Sequence, residues 1–330
     1  MAYSALVRFG AVVAVATFVA SARADIRAPN DLVVSPGPGD ASHPAELDLH
    51  APRPSEVVPA VHAPRSTELV LDEHVRAGRH WRLDTARGAV HVWVPSGYDA
   101  ATAATVVFVH GYWIGVDDAW DSYRLAQQFA LSGINAMFIA PGAPSARWEP
   151  IAWPSIAELV RTVADQIEVA MPTARLVAVG HSGAYRTLAL WLGNPKLDTV
   201  VLLDALYADY SVLPWLRLSA QHRLVNIVYE TGRFSDYLHH QLPSTKRVDG
   251  LPLDGLPDAR ILYVKTDAGH WELVTGGVAL PLALRAIAVP AVASAPLDLP
   301  LGLPQRCEPP RAIDWPAGPP FAPRLTELAP

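Results

Sequence analysis

A chain of 330 residues with 51% apolar and 18% charged side chains can bury a core of its own without disulfide or metal support. Its formal net charge of -6, with basic residues scattered along the chain, offers no phosphate-binding stripe and excludes nucleic acid as an expected partner. Cys307 is the only cysteine, so no intramolecular disulfide can form.

Near its start the sequence carries Arg8, an apolar run from Phe9 to Ala20, and the small, spaced residues Ala22 and Ala24. That order is the pattern of a cleaved signal peptide over residues 1-24, with Asp25 as the expected mature start. It implies export to the periplasm or the extracellular space. Later apolar runs are broken by proline, glycine or charge, so no stable membrane span is expected in the mature chain. Residues 25-74 read as a proline-rich arm or linker, and residues 291-330 as a proline-rich extension.

Between these ends, residues 75-290 read as one catalytic domain. Residues 80-84 and 88-94 suggest an antiparallel pair turned at Arg87-Gly88. Continuous apolar runs follow at Thr105 to Val109, Asn135 to Ala140, Arg175 to Val179 and Thr199 to Leu203, with further strands expected at Leu224 to Tyr229 and Arg260 to Lys265. Helical stretches are expected over Trp120 to Leu131, Pro154 to Ala170, Gly183 to Leu192 and Val278 to Ala288. Apolar strands alternating with helices are what a parallel sheet covered on both faces requires. The expected class is therefore α/β, a mostly parallel central sheet flanked by helices. Little room is left for a lid, although Tyr207 to His222 could form one short helix over a site.

The sharpest local signal is Gly180-His181-Ser182-Gly183-Ala184, where an apolar strand runs directly into a helix. A serine on so tight a turn is thrust outward, small neighbours let strand and helix approach, and the N–H of Gly183 can face a carbonyl oxygen under attack. Ser182 is the expected nucleophile. The strand ending at Val109 runs into His110-Gly111-Tyr112-Trp113, where Gly111 lets the backbone pass close and Tyr112 or Trp113 would supply a second oxyanion donor. His110 is read as support for that loop. His270, in the loop after the last strand, is the expected general base. Asp204 directly follows an apolar strand and is favoured as the acid; Glu230 and Asp236 stay open as alternatives.

These pieces resemble the α/β-hydrolase superfamily: His110-Gly111, the Gly180 to Ala184 turn, a carboxylate after a later strand, and His270 near the end of the domain. Ala184 stands where the usual signature has a second glycine. The resemblance implies the order nucleophile, acid, histidine. It also usually puts the acid after the strand that follows the one ending at Asp204, which favours Glu230 or Asp236, although some lipase-like members use the earlier position.

No zinc motif or dinucleotide glycine pattern occurs, so no cofactor and no metal is expected; Asp117, Asp118 and Asp121 read as a solvated helix start. The activity expected is ester hydrolysis through an acyl-enzyme on a small-molecule or cell-envelope-derived acyl substrate. The alternatives are an amidase or peptidase with the same triad and a non-catalytic envelope binding or scaffold protein. Oligomeric state is not legible.

Overall fold

The computed structural model describes residues 67–296 and 299–303. The expected signal segment, most of the N-terminal arm and the tail with Cys307 lie outside the described residues.

The domain begins earlier than its sequence suggests. Residues Thr67–Ala77 form a helix, α1, where a linker was expected up to residue 74. Leu71 is its anchor, 1% exposed, while Glu68 and Asp72 on its flank meet Arg124 and Gln127. The closely spaced prolines upstream hide this amphipathic turn from a reading of composition.

The hairpin β1 (Arg79–Thr85) and β2 (Gly88–Val94) follows, its turn made by Gly88 at φ 106. Then come β3 (Ala104–Val109), α2 (Val116–Ser122), α3 (Leu125–Ser132), β4 (Ala136–Pro141), α4 (Ile156–Gln166) and β5 (Arg175–His181). The helix expected over Trp120 to Leu131 is thus two helices, because Arg124 between them sits at φ 51 and breaks the ladder. A single 3-10 turn, Ser182–Ala184, leads into α5 (Tyr185–Trp191). The chain continues with β6 (Leu197–Leu203), α6 (Val212–Leu218), β7 (Arg223–Val228), α7 (Gly232–His240), β8 (Lys246–Asp249), β9 (Ile261–Lys265), α8 (Glu272–Thr275) and α9 (Ala279–Arg285).

Among the described residues, nine strands form one sheet in the order β1-β2-β4-β3-β5-β6-β7-β9-β8. β1 with β2 and β2 with β4 are antiparallel; every other pair is parallel. Successive residues of each central strand feed opposite layers. Val106 and Phe108 of β3 pack toward α2, α3 and α9, whereas Val107 and Val109 pack toward α4, α5 and α6. Burial on both faces explains why these strands read as unbroken apolar runs. Among the described residues no large insertion covers the sheet, and α6 is part of a core layer, with Trp215 and Leu216 at 2% and 1% exposure.

β3 has β4 on one side and β5 on the other, so chain direction across the sheet reverses there. A crevice opens at the carboxyl ends of such a pair, where ligands of open α/β sheets bind. Val109 and Gly180 are register partners at that edge, and Gly111 and Ser182 lie just beyond it.

Candidate active site

Ser182 leaves β5 at φ 52, in the left-handed region that a non-glycine residue occupies at a cost. That twist lets the chain pass from strand to helix within one residue and turns the side chain outward; Ser182 is half-buried while Gly183 and Ala184 are buried. Two close approaches account for the glycines. A Cβ on Gly180 would lie 2.8 Å from Leu188 and 3.1 Å from the Ala184 methyl, so strand and helix touch here. Ala184 is therefore accommodated because Gly180 has no side chain of its own. A Cβ on Gly183 would fall 2.6 Å from the ring of Tyr112, which closes over the turn from the β3 side.

The loop after β3 comes as near. A Cβ on Gly111 would sit 2.7 Å from the Cβ of Ser182 and 3.2 Å from the carbonyl oxygen of His181. His110, 2% exposed, ties this loop down. Its Nε2 accepts from the N–H of Ala143 at 3.2 Å, which leaves Nδ1–H to donate to the carbonyl of Gly111 at 2.8 Å. With both nitrogens engaged and burial holding its pKa down, His110 is a support. The N–H of Trp113 donates to the carbonyl of Ser145 at 2.6 Å, so Trp113 is not an available oxyanion donor. The backbone N–H groups of Tyr112 and Gly183 donate to no partner among the described residues.

Asp204 follows β6 at φ 49 and is fully buried. Its Oδ2 accepts from Nδ1 of His270 at 2.7 Å. The turn after β7 wraps the same carboxylate: Tyr229 N–H and Thr231 N–H and hydroxyl donate to Oδ1, and Glu230 N–H donates to Oδ2, all at 2.7 to 3.0 Å. Burial pushes this carboxyl's pKa up, but His270 and the Thr231 and Tyr229 donors outweigh it and hold the net value well below the ordinary carboxylate range. Nδ1–H of His270 is thereby committed to Asp204, leaving Nε2 as the nitrogen with a lone pair.

His270 Nδ1 bonds Asp204 and neither alternative acid. Asp236 is spent on the Tyr263 hydroxyl at 3.0 Å and on Lys265 at 2.8 Å. Glu230 is exposed, and its backbone rather than its carboxylate makes the bond to Asp204. Its carboxylate still lies within 4.8 Å of the Asp204 and His270 ligand atoms. A cation in that cluster would have to displace His270 from a carboxylate whose oxygens already accept five hydrogen bonds. Asp117, in the first turn of α2, pairs with Arg82 at 2.7 Å and accepts from His91 at 2.8 Å.

Two residues of this neighbourhood were not assigned roles from sequence. Tyr207, three residues beyond Asp204, interacts with the side chain of Ser182; burial pushes its phenol pKa up, so it stays protonated. His181 is fully buried, and its Nε2 lies 3.0 Å from the backbone carbonyl of His270. Burial first, and the neighbouring His270 second, push its pKa down to about 3. The ring is therefore neutral at working pH, and Nε2–H is its donor. This bond ties the loop carrying His270 to the residue before Ser182, a role that a histidine inside a glycine-serine turn does not announce. Replacing His181 with Ala is expected to lower kcat about tenfold at nearly constant KM, and Gln, which also carries a side-chain N–H, to restore most of it in steady-state assays. Equal losses with Ala and Gln would mean the bond is irrelevant to the position of His270.

No family model matches this chain, and a comparison with curated sequences finds no significant relative. Among solved structures, a feruloyl esterase module from Clostridium thermocellum is 10% identical with a TM-score of 0.44, covering 64% of this chain and 88% of that one. A fluorophosphonate-binding serine hydrolase of Staphylococcus aureus is 14% identical with a TM-score of 0.40, covering 63% and 96%. A hyperthermophilic esterase from Pyrobaculum calidifontis is 13% identical with a TM-score of 0.39, covering 68% and 92%. Likenesses this distant carry nothing about substrate. On its own sheet order and its strand-turn-helix at Ser182, the chain has the α/β-hydrolase fold.

Proposed function

We propose that the chain is an exported serine hydrolase that cleaves carboxylic esters, with Ser182 as nucleophile, His270 as general base and Asp204 as the acid. The observation that supports this most is the His270–Asp204 hydrogen bond of 2.7 Å, formed from loops after β9 and β6 in the same domain as the outward-turned Ser182. A carboxylate cradled by five donors is built to stay ionised and to hold one tautomer of one histidine.

In this reading Oγ of Ser182 attacks the ester carbonyl carbon while its proton passes to Nε2 of His270. The carbonyl π pair moves onto oxygen, which the N–H groups of Gly183 and Tyr112 receive. Collapse expels the alkoxide, which takes the proton from Nε2 and leaves an acyl-Ser182 ester. Water then repeats the sequence, giving its proton to His270, and the acid product departs as Oγ recovers a proton. Among the described residues no helix is long and apolar enough to cross a membrane, and export rests on the pattern of residues 1-24.

The test is covalent labelling of the purified mature chain by a fluorophosphonate, with intact mass and peptide mapping. One adduct on Ser182, lost in His270→Ala, is the expected result. A folded chain that stays unlabelled under conditions that saturate other serine hydrolases would sink the mechanism and favour a binding protein on this fold.

A further inference from the structure

Two tryptophans stand in solvent beside the proposed site. Trp113 is 40% exposed and Trp148 is 78% exposed. Their rings meet edge to face, with centroids 6.4 Å apart and planes at 75°. Trp113 directly follows Tyr112, whose ring covers Gly183, and it is held at φ 71, a conformation that a bulky side chain rarely adopts.

The loop carrying Trp148 is fastened to the same turn. The Trp113 N–H bonds the carbonyl of Ser145, and Glu149 accepts from the Ser145 N–H at 2.7 Å and from its hydroxyl at 3.0 Å. Arg186, on the helix that Ser182 starts, donates to the carbonyls of Arg147 and Glu149 on either side of Trp148 and to the hydroxyl of Tyr112. One guanidinium thus joins the nucleophile helix, the oxyanion loop and the segment presenting Trp148. The left-handed backbone at Trp113, and a well-bonded loop that leaves most of the Trp148 ring in water, are features to be expected where a ligand packs.

We infer that Trp113 and Trp148 form the subsite for a flat aryl group of the ester. This rests on the hydrolase reading above and adds the substrate class. Indoles set nearly at right angles make a floor and a wall, so a planar ring can stack on one and meet the other edge-on, the geometry aromatic pairs prefer. A flexible alkyl chain gains only contact area there and has no face to match. The guanidinium of Arg186 is already spent on three acceptors, so it is occupied in holding the subsite together.

The experiment compares kcat/KM for methyl 3-phenylpropanoate with methyl hexanoate, and for phenethyl acetate with hexyl acetate, which separates the acyl from the alcohol side. Trp148→Ala alters a largely exposed side chain, and Trp113→Gly suits the observed φ, so both variants should fold. The wild-type chain is expected to prefer the aryl member of one pair by about tenfold or more. Both variants should bring that preference to within about threefold, chiefly by raising KM for the aryl member. No aryl preference in the wild type, or a preference that survives both substitutions, would overturn the inference. Quenching of tryptophan fluorescence by 3-phenylpropanoate in Ser182→Ala, weakened by adding Trp148→Ala, reads the subsite without turnover. Aryl binding in a chain that hydrolyses no ester would therefore overturn the mechanism alone, and ester hydrolysis without aryl binding would overturn the subsite alone.

Discussion

Asp204→Asn is expected to lower kcat by about a thousandfold or more, whereas Glu230→Gln and Asp236→Asn should remain within about threefold of the parent chain. The oxygens of Asp204 face N–H or hydroxyl donors on every side, so an amide at this position must turn its NH2 group toward at least one of them. The arrangement that spares Oδ1 turns the NH2 toward Nδ1 of His270 and brings it against the N–H of Glu230. Nδ1 must then accept, the ring proton moves to Nε2, and the base has no lone pair left for the serine proton. Steady-state kinetics on the three variants decides the acid. Comparable losses in Asp204→Asn and Glu230→Gln would move the assignment to a shared carboxylate pair.

The same carboxylate links stability to acid. Its folded pKa is depressed from the ordinary 3.8, so below neutrality the unfolded chain binds this proton first. The stabilisation is fully present above the unfolded pKa and is lost as pH falls through that value toward the folded one. Urea midpoints measured at pH 5, 4 and 3 should drop less steeply in Asp204→Asn than in the parent. Equal slopes would mean that other carboxylates dominate acid unfolding.

Gly111→Ala is the second large effect, expected to reduce kcat at least about a hundredfold and to cost about 1–3 kcal/mol of stability. The added methyl would lie 2.7 Å from the Cβ of Ser182 and 3.2 Å from the backbone oxygen of His181, neither of which is the movable end of a flexible side chain. One of the two loops must retreat, which separates the N–H of Tyr112 from that of Gly183 and disturbs the bond from His181 to the His270 loop. Gly193→Ala, where an added Cβ meets nothing within 4 Å, is the control and should be neutral. Thermal melts with fluorophosphonate labelling rates measure both effects. A fully active Gly111→Ala would show that close approach of the β3 loop is not needed for the chemistry.

The elements legible from sequence share one property: their signal is local. β3, β5 and β6 read as strands because a sheet buried on both faces demands apolar side chains at every position. β8, with the burial of an exposed edge, carries Lys246, Arg247 and Asp249 and gave no such run. Helix α7 went unread between its strands, and α1 was masked by neighbouring prolines. The Ser182 turn was readable because a sharp strand-to-helix reversal needs particular small residues within a few positions.

By itself, then, the sequence determined the α/β class, the turn that presents Ser182 and the two residue types that stand as its proposed partners. Which carboxylate meets His270 was decided by tertiary structure, through the parallel register of β6, β7 and β9 and a turn after β7 that offers N–H donors to Asp204 instead of a carboxylate to His270. The loss of Trp113 as an oxyanion donor was decided the same way, by a carbonyl at Ser145. Hydrogen bonds between residues 32 or 66 positions apart leave no periodicity in the chain, because the partners are chosen by where strands end in space.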